Sequence, residues 1–333
     1  MAWPRPVAGD RAEAGQIDTN PFISGGCEFS DGWVGIVANA GSGNGDGRVR
    51  VARLARALEQ RKIAVQVAWT PAERASLVAS SSRDEACRCL VAVGGDGTVA
   101  ALINERPAVP ISVLPAGTEN LFARHFRLGR SPERLAATID LGRQIAIDLG
   151  DTLHRRFALM AGIGFDAAVV NRHHTARLAR DGVANPTNRI AYVESVLDQS
   201  MRYPFPRLTV TVEEAPSGKV EVLSGTSIFV FNLPRYALGL PFAPSARADD
   251  GLLDLLVFDK PGPFNALRYL WLVLRGLHLR RHGVHHRLVR RVAVTASDPT
   301  PAQLDGDPGG FVTADAESPL RIAVAPSALR VIV

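Results

Sequence analysis

Covalent staples and membrane-spanning runs are both scarce in this sequence. Three cysteines occur in 333 residues, Cys27, Cys87 and Cys89. They are too few for a disulfide framework, and their scarcity points to a reducing compartment. Cys87 and Cys89 lead into the apolar run 90–93 with no second Cys/His pair nearby, so they read as strand residues rather than zinc ligands. The more hydrophobic stretches, 157–165 and 269–274, stop at Asp166 and at Arg268 and Arg275. A spanning helix needs about 20 apolar residues, so none is expected. Residues 1–30 are broken by Pro, Gly, Asp and Glu and lack the continuous apolar segment of a secretory signal, which predicts a loose extension over 1–32. Acids are absent from residues 260–297, which carry Lys260, Arg268, Arg275, Arg280, Arg281, Arg287, Arg290 and Arg291. Internal repeats and low-complexity tracts are also absent.

What remains is a globular composition. With 46% hydrophobic and 21% charged residues, the chain is long enough to bury two cores. A formal charge of +5 suits anionic partners such as nucleotides or lipid headgroups. From Trp33 the pattern alternates: an apolar run at 33–39, a glycine loop at 40–47, helical spacing of Val51, Leu54, Ala55 and Leu58, a strand at 63–69, a helix at 71–80 and a buried strand at 89–93. A further helix at 99–104, a strand at 111–114 and a turn into a helix at 117–126 complete it. This alternation predicts a doubly wound, mostly parallel α/β nucleotide-binding domain over 33–141. Beyond it, strand-like stretches follow one another at 144–149, 156–161, 207–213, 226–232 and 252–258. They predict a largely antiparallel β-rich domain over 142–333, with helical insertions at 167–201 and 264–282 and a tail that returns toward the interdomain cleft.

Chemistry concentrates where strands end. Gly94-Gly95-Asp96-Gly97-Thr98 joins a buried strand to a helix. Glycines let the backbone approach phosphate oxygens there, and the helix N-terminus supplies free N–H groups. Thr98 is placed to act as an N-cap. An ionised Asp96 cannot donate to phosphate, so it suits a Mg²⁺ shell, a ribose or an acceptor hydroxyl. An ordinary tight turn is the competing reading. Two further loops share this chemistry, Asn39-Ala40-Gly41-Ser42-Gly43 and Pro115-Ala116-Gly117-Thr118-Glu119-Asn120. Loops after parallel strands converge at the carboxyl edge of the sheet, where open α/β folds bind ligands. Late in the chain, Asp305-Gly306-Asp307 reads either as a hairpin turn or as an acid pair.

Taken in order, these motifs resemble the diacylglycerol kinase catalytic-domain family, which includes bacterial lipid kinases and sphingosine kinases. The resemblance runs from about Trp33 to Val333. It rests on the Asn39 loop, the Gly94 turn, the Pro115–Asn120 loop with Ala123 and Arg124, Gly162-Ile163-Gly164-Phe165-Asp166-Ala167, Asp250-Gly251-Leu252-Leu253-Asp254 and Leu304-Asp305-Gly306-Asp307. It implies ATP and Mg²⁺ as cofactors and a lipid hydroxyl as acceptor. It assigns ATP to Asn39, Gly41, Ser42, Gly43, Gly94, Gly95, Gly97, Thr98, Gly117, Thr118 and Asn120. Catalysis goes to Asp305, with Asp96 as the rival base and Asp307 where the family usually has Glu. The lipid's polar head falls to Asp166, for which a helix N-terminal acid is the alternative, and a structural Mg²⁺ to Asp249, Asp250 and Asp254, for which a solvated turn is the alternative. NAD kinases and phosphofructokinases share the Gly-Gly-Asp-Gly turn and stay open as alternatives.

Three positions depart from the family pattern. Ala101 stands where a Glu is common, Leu121 where bacterial diacylglycerol kinases carry Asp, and Asp307 is short for Glu. They keep open a sphingoid, ceramide-like or other lipid alcohol, and also a catalytically silent lipid or nucleotide sensor. The expected setting is cytoplasmic and peripheral at the inner membrane surface, with a lipid substrate, anionic headgroups as partners, no nucleic acid and room for a homodimer. The apolar stripe Leu270, Trp271, Leu274 and Leu277 is expected to pack into the core while the nearby arginines face headgroups. His278, His282, His285 and His286 lack the carboxylate or thiolate neighbours of a metal site.

Overall fold

The computed structural model describes residues 32–39, 47–179, 202–214 and 217–333. Its N-terminal part is a parallel sheet in the order β4-β3-β1-β2, made of β1 (Trp33–Ala38), β2 (Ala64–Ala68), β3 (Cys87–Gly94) and β4 (Ile111–Pro115). Helix α1 (Gly47–Glu59) and helix α5 (Pro132–Leu141) cover one face, where Leu54, Leu58, Leu135 and Ile139 pack on Val34 and Ile36. The opposite face is covered by α2 (Pro71–Ser81), α3 (Asp96–Asn104) and α4 (Leu121–His125). Local sequence starts these helices at defined points. Thr70 and Glu73 form a reciprocal capping box ahead of Pro71, and Ser131 caps α5 ahead of Pro132.

The C-terminal part is antiparallel. β7 (Met160–Gly164), β10 (Ser227–Phe231), β11 (Leu253–Phe258) and β12 (Val284–Ala296) lie side by side, with the hairpin of β13 (Thr300–Leu304) and β14 (Asp307–Val312) beyond β7. Both faces of β10 and β11 are buried. Ile228, Val230, Leu255 and Val257 pack with β8 (Leu208–Glu214), while Phe229, Phe231, Leu256 and Phe258 join the core that continues to α2, α3 and α4. The predicted strand 156–161 divides into β6 (Arg156–Phe157) and β7, and the predicted helix 264–282 ends early, as α7 (Pro263–Leu274), before Gly276 at φ +64°. Helix α6 (Phe165–Ala179) accounts for the start of the helical insertion, whose remainder lies outside the described residues.

One strand ties the two parts together. β15 (Leu320–Ile332) pairs antiparallel with β12 at one end and parallel with β4 at the other, through Val331 and Ile111. Along its length it pairs with β5 (Gln144–Asp151), with a bulge between Ala325 and Leu329. Opposite the bulge, the buried Asp148 carboxylate accepts the N–H of Ser327 and the N–H of Gly251, each at 2.7 Å. A bulge frees a backbone donor from the ladder, and Asp148 satisfies it.

Candidate functional site

The carboxyl ends of β3 and β4 stay paired past their last residues, where Ala116 N–H donates to the Gly94 carbonyl at 2.8 Å. The chains then nearly touch. A methyl group on Gly117 would stand 2.6 Å from the Gly95 Cα, so only glycine fits there. Asn120, at φ +50°, closes the second loop by accepting from Gly117 N–H at 2.9 Å and donating to its carbonyl at 2.6 Å. Gly95, not Thr98, is the N-cap of α3, and it brings no side-chain cap. β3 runs to Gly94, so Thr98 falls inside the helix, beside Gly94. The space beside Gly97 is open. This glycine-lined helix start fits a phosphate group. Asn39 and Thr118 are exposed at the same strand ends, whereas Gly41, Ser42 and Gly43 lie outside the described residues.

Asp96 turns inward. Its carboxylate accepts N–H groups of Leu121 and Phe122, both at 3.0 Å, and so caps α4 from a different loop. Burial raises its pKa in spite of these bonds, and Glu119 adds to the rise. Leu121, the departure from the family pattern, is buried in the core.

The Asp305-Gly306 turn has the hairpin form that one of the two sequence readings expected. Its residues have φ of +51° and +87° and join β13 directly to β14, as in a two-residue hairpin turn. The Asp305 carboxylate nevertheless accepts three N–H groups, from Ala158, Leu159 and Met160, at 2.7, 2.8 and 3.0 Å. Burial outweighs those bonds and pushes its pKa up to about 6, with the negative charge of Asp96 acting in the same direction. The acids of the two predicted loops are therefore electrostatic neighbours. Asp307 is not part of this pair. Its carboxylate is partly exposed and faces Arg155 at 3.9 Å.

Asp166 opens α6 and lines a cavity of about 340 Å³, whose walls include Phe229, Phe242, Phe258, Leu270 and Val273. Burial pushes its pKa up to about 6, against bonds from Gln303 and the Tyr236 hydroxyl. Gln303, fully buried, is the residue that sequence reading missed. Its Nε2 donates to Asp166 Oδ2 at 2.8 Å and its Oε1 accepts the Gly306 N–H at 2.8 Å. One amide thus links the cavity to the Asp305 turn. The sequence signal was a lone amide in a short strand, two residues before Asp305.

Asp249, Asp250 and Asp254 are not brought together as a cation cage. Asp249 pairs with Arg247 at 3.0 Å, and the buried Asp254 meets His286 Nε2 at 2.7 Å. Asp250 accepts the Leu252 N–H at 3.0 Å, and its pKa is raised by burial first and by Asp254, Asp148 and Asp249 after it. Among the described residues, no group of three or more His, Cys, Asp or Glu is disposed to hold a metal. The donor set therefore does not fit the structural Mg²⁺ expected there.

Known proteins place this arrangement. A model of the diacylglycerol kinase catalytic domain matches residues 34–152, and a model of the YegS C-terminal NAD kinase beta sandwich-like domain matches residues 160–333. A diacylglycerol kinase from Mycobacterium tuberculosis is 28% identical over 260 residues, covering 73% of this chain and 76% of its own. A Pseudomonas aeruginosa protein named "Probable lipid kinase YegS-like" is 29% identical over 296 residues, covering 86% of this chain and 90% of its own. A crystal structure of a diacylglycerol kinase from Bacillus anthracis shares the fold at a TM-score of 0.66 and 19% identity, over 91% of this chain and 96% of that one. With both halves matched in order and the glycine turns and late acid in place, the chain belongs to the diacylglycerol kinase catalytic-domain family of lipid kinases.

Proposed function

We propose that the chain transfers the γ-phosphate of ATP to the hydroxyl of a membrane lipid, with Asp305 as the base. The observation that carries this is the Gln303 bridge, which connects an apolar cavity, through Asp166, to the turn that holds Asp305. Gly94, Gly95, Gly97 and Gly117 let the nucleotide phosphates approach the backbone, and the start of α3 offers them its dipole. ATP, bound there with Mg²⁺, supplies the phosphoryl group. The acceptor hydroxyl oxygen attacks the γ-phosphorus, its proton passes to the Asp305 carboxylate, and ADP departs. A carboxyl with a pKa of about 6 is ionised at neutral pH yet more basic than an ordinary aspartate, which suits it to take that proton. Asp96 holds α4 against the glycine turn and is the rival for the same role.

The cavity supports a lipid as the acceptor class. Its apolar walls suit acyl or alkyl chains, and the buried Asp166–Tyr236–Gln303 cluster suits the polar group at their end. The named relatives support diacylglycerol, while Leu121 in place of Asp favours testing sphingoid bases and ceramides beside it. The experiment is transfer of labelled phosphate from Mg-ATP to diacylglycerol, sphingoid bases and ceramide in mixed micelles. Label in at least one lipid is expected, and none in any would overturn the reading. NAD belongs in the same panel, because the C-terminal match is to a domain described as NAD kinase-like. Label in NAD alone would replace the lipid. Binding of vesicles or nucleotide with no turnover would instead support a silent sensor.

A further inference from the structure

Helix α7 buries Tyr269, Leu272 and Val273 and turns a second apolar stripe to water. Phe264 is 77% exposed, Leu267 43%, Trp271 52% and Leu274 58%. Spaced at three, seven and ten residues from the first, these side chains share one face of the helix. Packing among the described residues does not account for them, and a contiguous exposed stripe of this kind marks an interaction surface. The stripe borders the cavity that holds Asp166. Ala266, Leu267 and Leu270 of the same helix line that cavity, and so does Leu238, which is 43% exposed. Charge completes the pattern. Arg268 stands on α7 and Arg275 caps its C-terminus, with the Arg275 guanidinium 5.7 Å from the Trp271 ring, Arg280 and Arg281 follow, and residues 260–297 contain no acid.

We infer that α7 lies in the plane of an anionic bilayer, with Phe264, Trp271 and Leu274 below the headgroups and the arginines among the phosphates. Amphipathic helices with aromatic and leucine side chains on one face and arginines beside them bind interfaces in this way. The cavity then opens toward the lipid, and a substrate enters it without crossing water. Charge decides the occupant: an arginine-bearing segment that itself carries no acid complements anionic headgroups. That lipid enters the cavity rests on the kinase reading, but the docking does not.

The test uses the full chain without nucleotide. Sedimentation with phosphatidylcholine vesicles is compared with vesicles containing phosphatidylglycerol, for the parent chain and for the variants Phe264→Ser/Trp271→Ser and Arg268→Gln/Arg275→Gln. Binding is expected on anionic vesicles and weakly on neutral ones. The apolar pair of substitutions lowers the partition coefficient about tenfold or more, and each arginine contributes roughly fivefold. Bromolipid quenching of Trp271 reports its depth. Phe264, Trp271 and Arg275 are exposed and Arg268 is half-buried, so melting temperatures stay close to the parent's. Phosphoryl transfer to a monomeric short-chain lipid stays unchanged in the variants, while transfer to vesicle-embedded lipid falls. Equal vesicle binding by parent and variants would overturn the inference. So would a dimer in sedimentation velocity that the Trp271→Ser change dissolves, since the stripe would then cover a second copy. Loss of vesicle binding in a chain with no kinase activity on any lipid would uphold the docking and sink only the kinase reading.

Discussion

The glycine edge of the parallel sheet and the cavity beside α7 recognise their ligands by opposite means. At the edge, backbone meets backbone: Gly95 and Gly117 approach so closely that no side chain fits between them. In the cavity, side chains from α6, β10, β11, α7 and the 237–242 loop form the wall, and the backbone stays behind them. A backbone-built site tolerates little change of residue, because its shape is the chain's own path. A side-chain-built site tolerates repacking and so sets specificity. Between them stand Asp96, Asp166 and Asp305, three carboxyls whose pKa values burial raises. Raised carboxyl pKa values cluster where chemistry is done.

The largest expected effect separates the acid from both regions. Asp305→Asn lowers kcat by about 10²–10⁴ while nucleotide binding persists, and kcat/KM of the parent climbs with pH through about 6. An asparagine variant that keeps this limb would move the base to Asp96. Next come the glycines, where two substitutions divide fold from function. Gly117→Ala forces the loops apart and costs about 1–3 kcal/mol of stability. Gly97→Ala meets open space and, as a better helix former, leaves stability level or up by as much as about 1 kcal/mol. It nevertheless weakens ATP binding, by roughly tenfold or more if a phosphate lies against that backbone. Unaltered ATP affinity in Gly97→Ala, read by calorimetry, would remove the phosphate from this turn.

A third change probes the charge buried in the cavity. The folded pKa of Asp166, about 6, lies above its ordinary 3.8. Its contribution to stability is therefore fully present below about pH 4 and lost as pH rises through about 6. Asp166→Asn removes that loss, so urea midpoints of variant and parent should agree at pH 3.5 and diverge in favour of the variant at pH 7.5. The gain is on the order of 2–3 kcal/mol, and turnover falls because the polar group of the lipid loses its acceptor. The smallest effect belongs to the cavity wall. Ala266→Phe fills space and lowers kcat/KM for long-chain acceptors about tenfold, with short chains nearly unaffected. An equal loss for all chain lengths would show that α7 had shifted rather than the cavity filled.

The same contrast explains what could be read from sequence. The backbone-built edge leaves glycines beside buried strands, and β1, β3, β4 and the helices between them were all legible from periodicity. The cap was misplaced because an N-cap depends on where the preceding strand stops, and β3 extends to Gly94. The cavity left no local signature, since its walls come from segments far apart in the chain. Helical spacing announced that α7 has apolar stripes, but not which faces inward. Tyr269, Leu272 and Val273 are buried, whereas Trp271 and Leu274, expected in the core, are exposed. Leu277 is partly buried against the core, so the expectation holds there. Gln303 and Asp148 were passed over because a single buried polar residue has no periodicity. Only the backbone groups around each reveal its task.

The position of β15 also orders events during synthesis. The strand lies between β4 and β12 in the finished sheet, yet it emerges from the ribosome after both. Until residues 320–332 are free, β4 lacks its outer neighbour, and Ile111 and Val331 cannot meet. Contacts of such wide sequence separation form late and slowly, which leaves an unpaired strand edge during translation. Chains halted before Leu320 would carry the nucleotide turn and the cavity residues without the strand that joins them, and such fragments would be prey for proteases rather than partial enzymes.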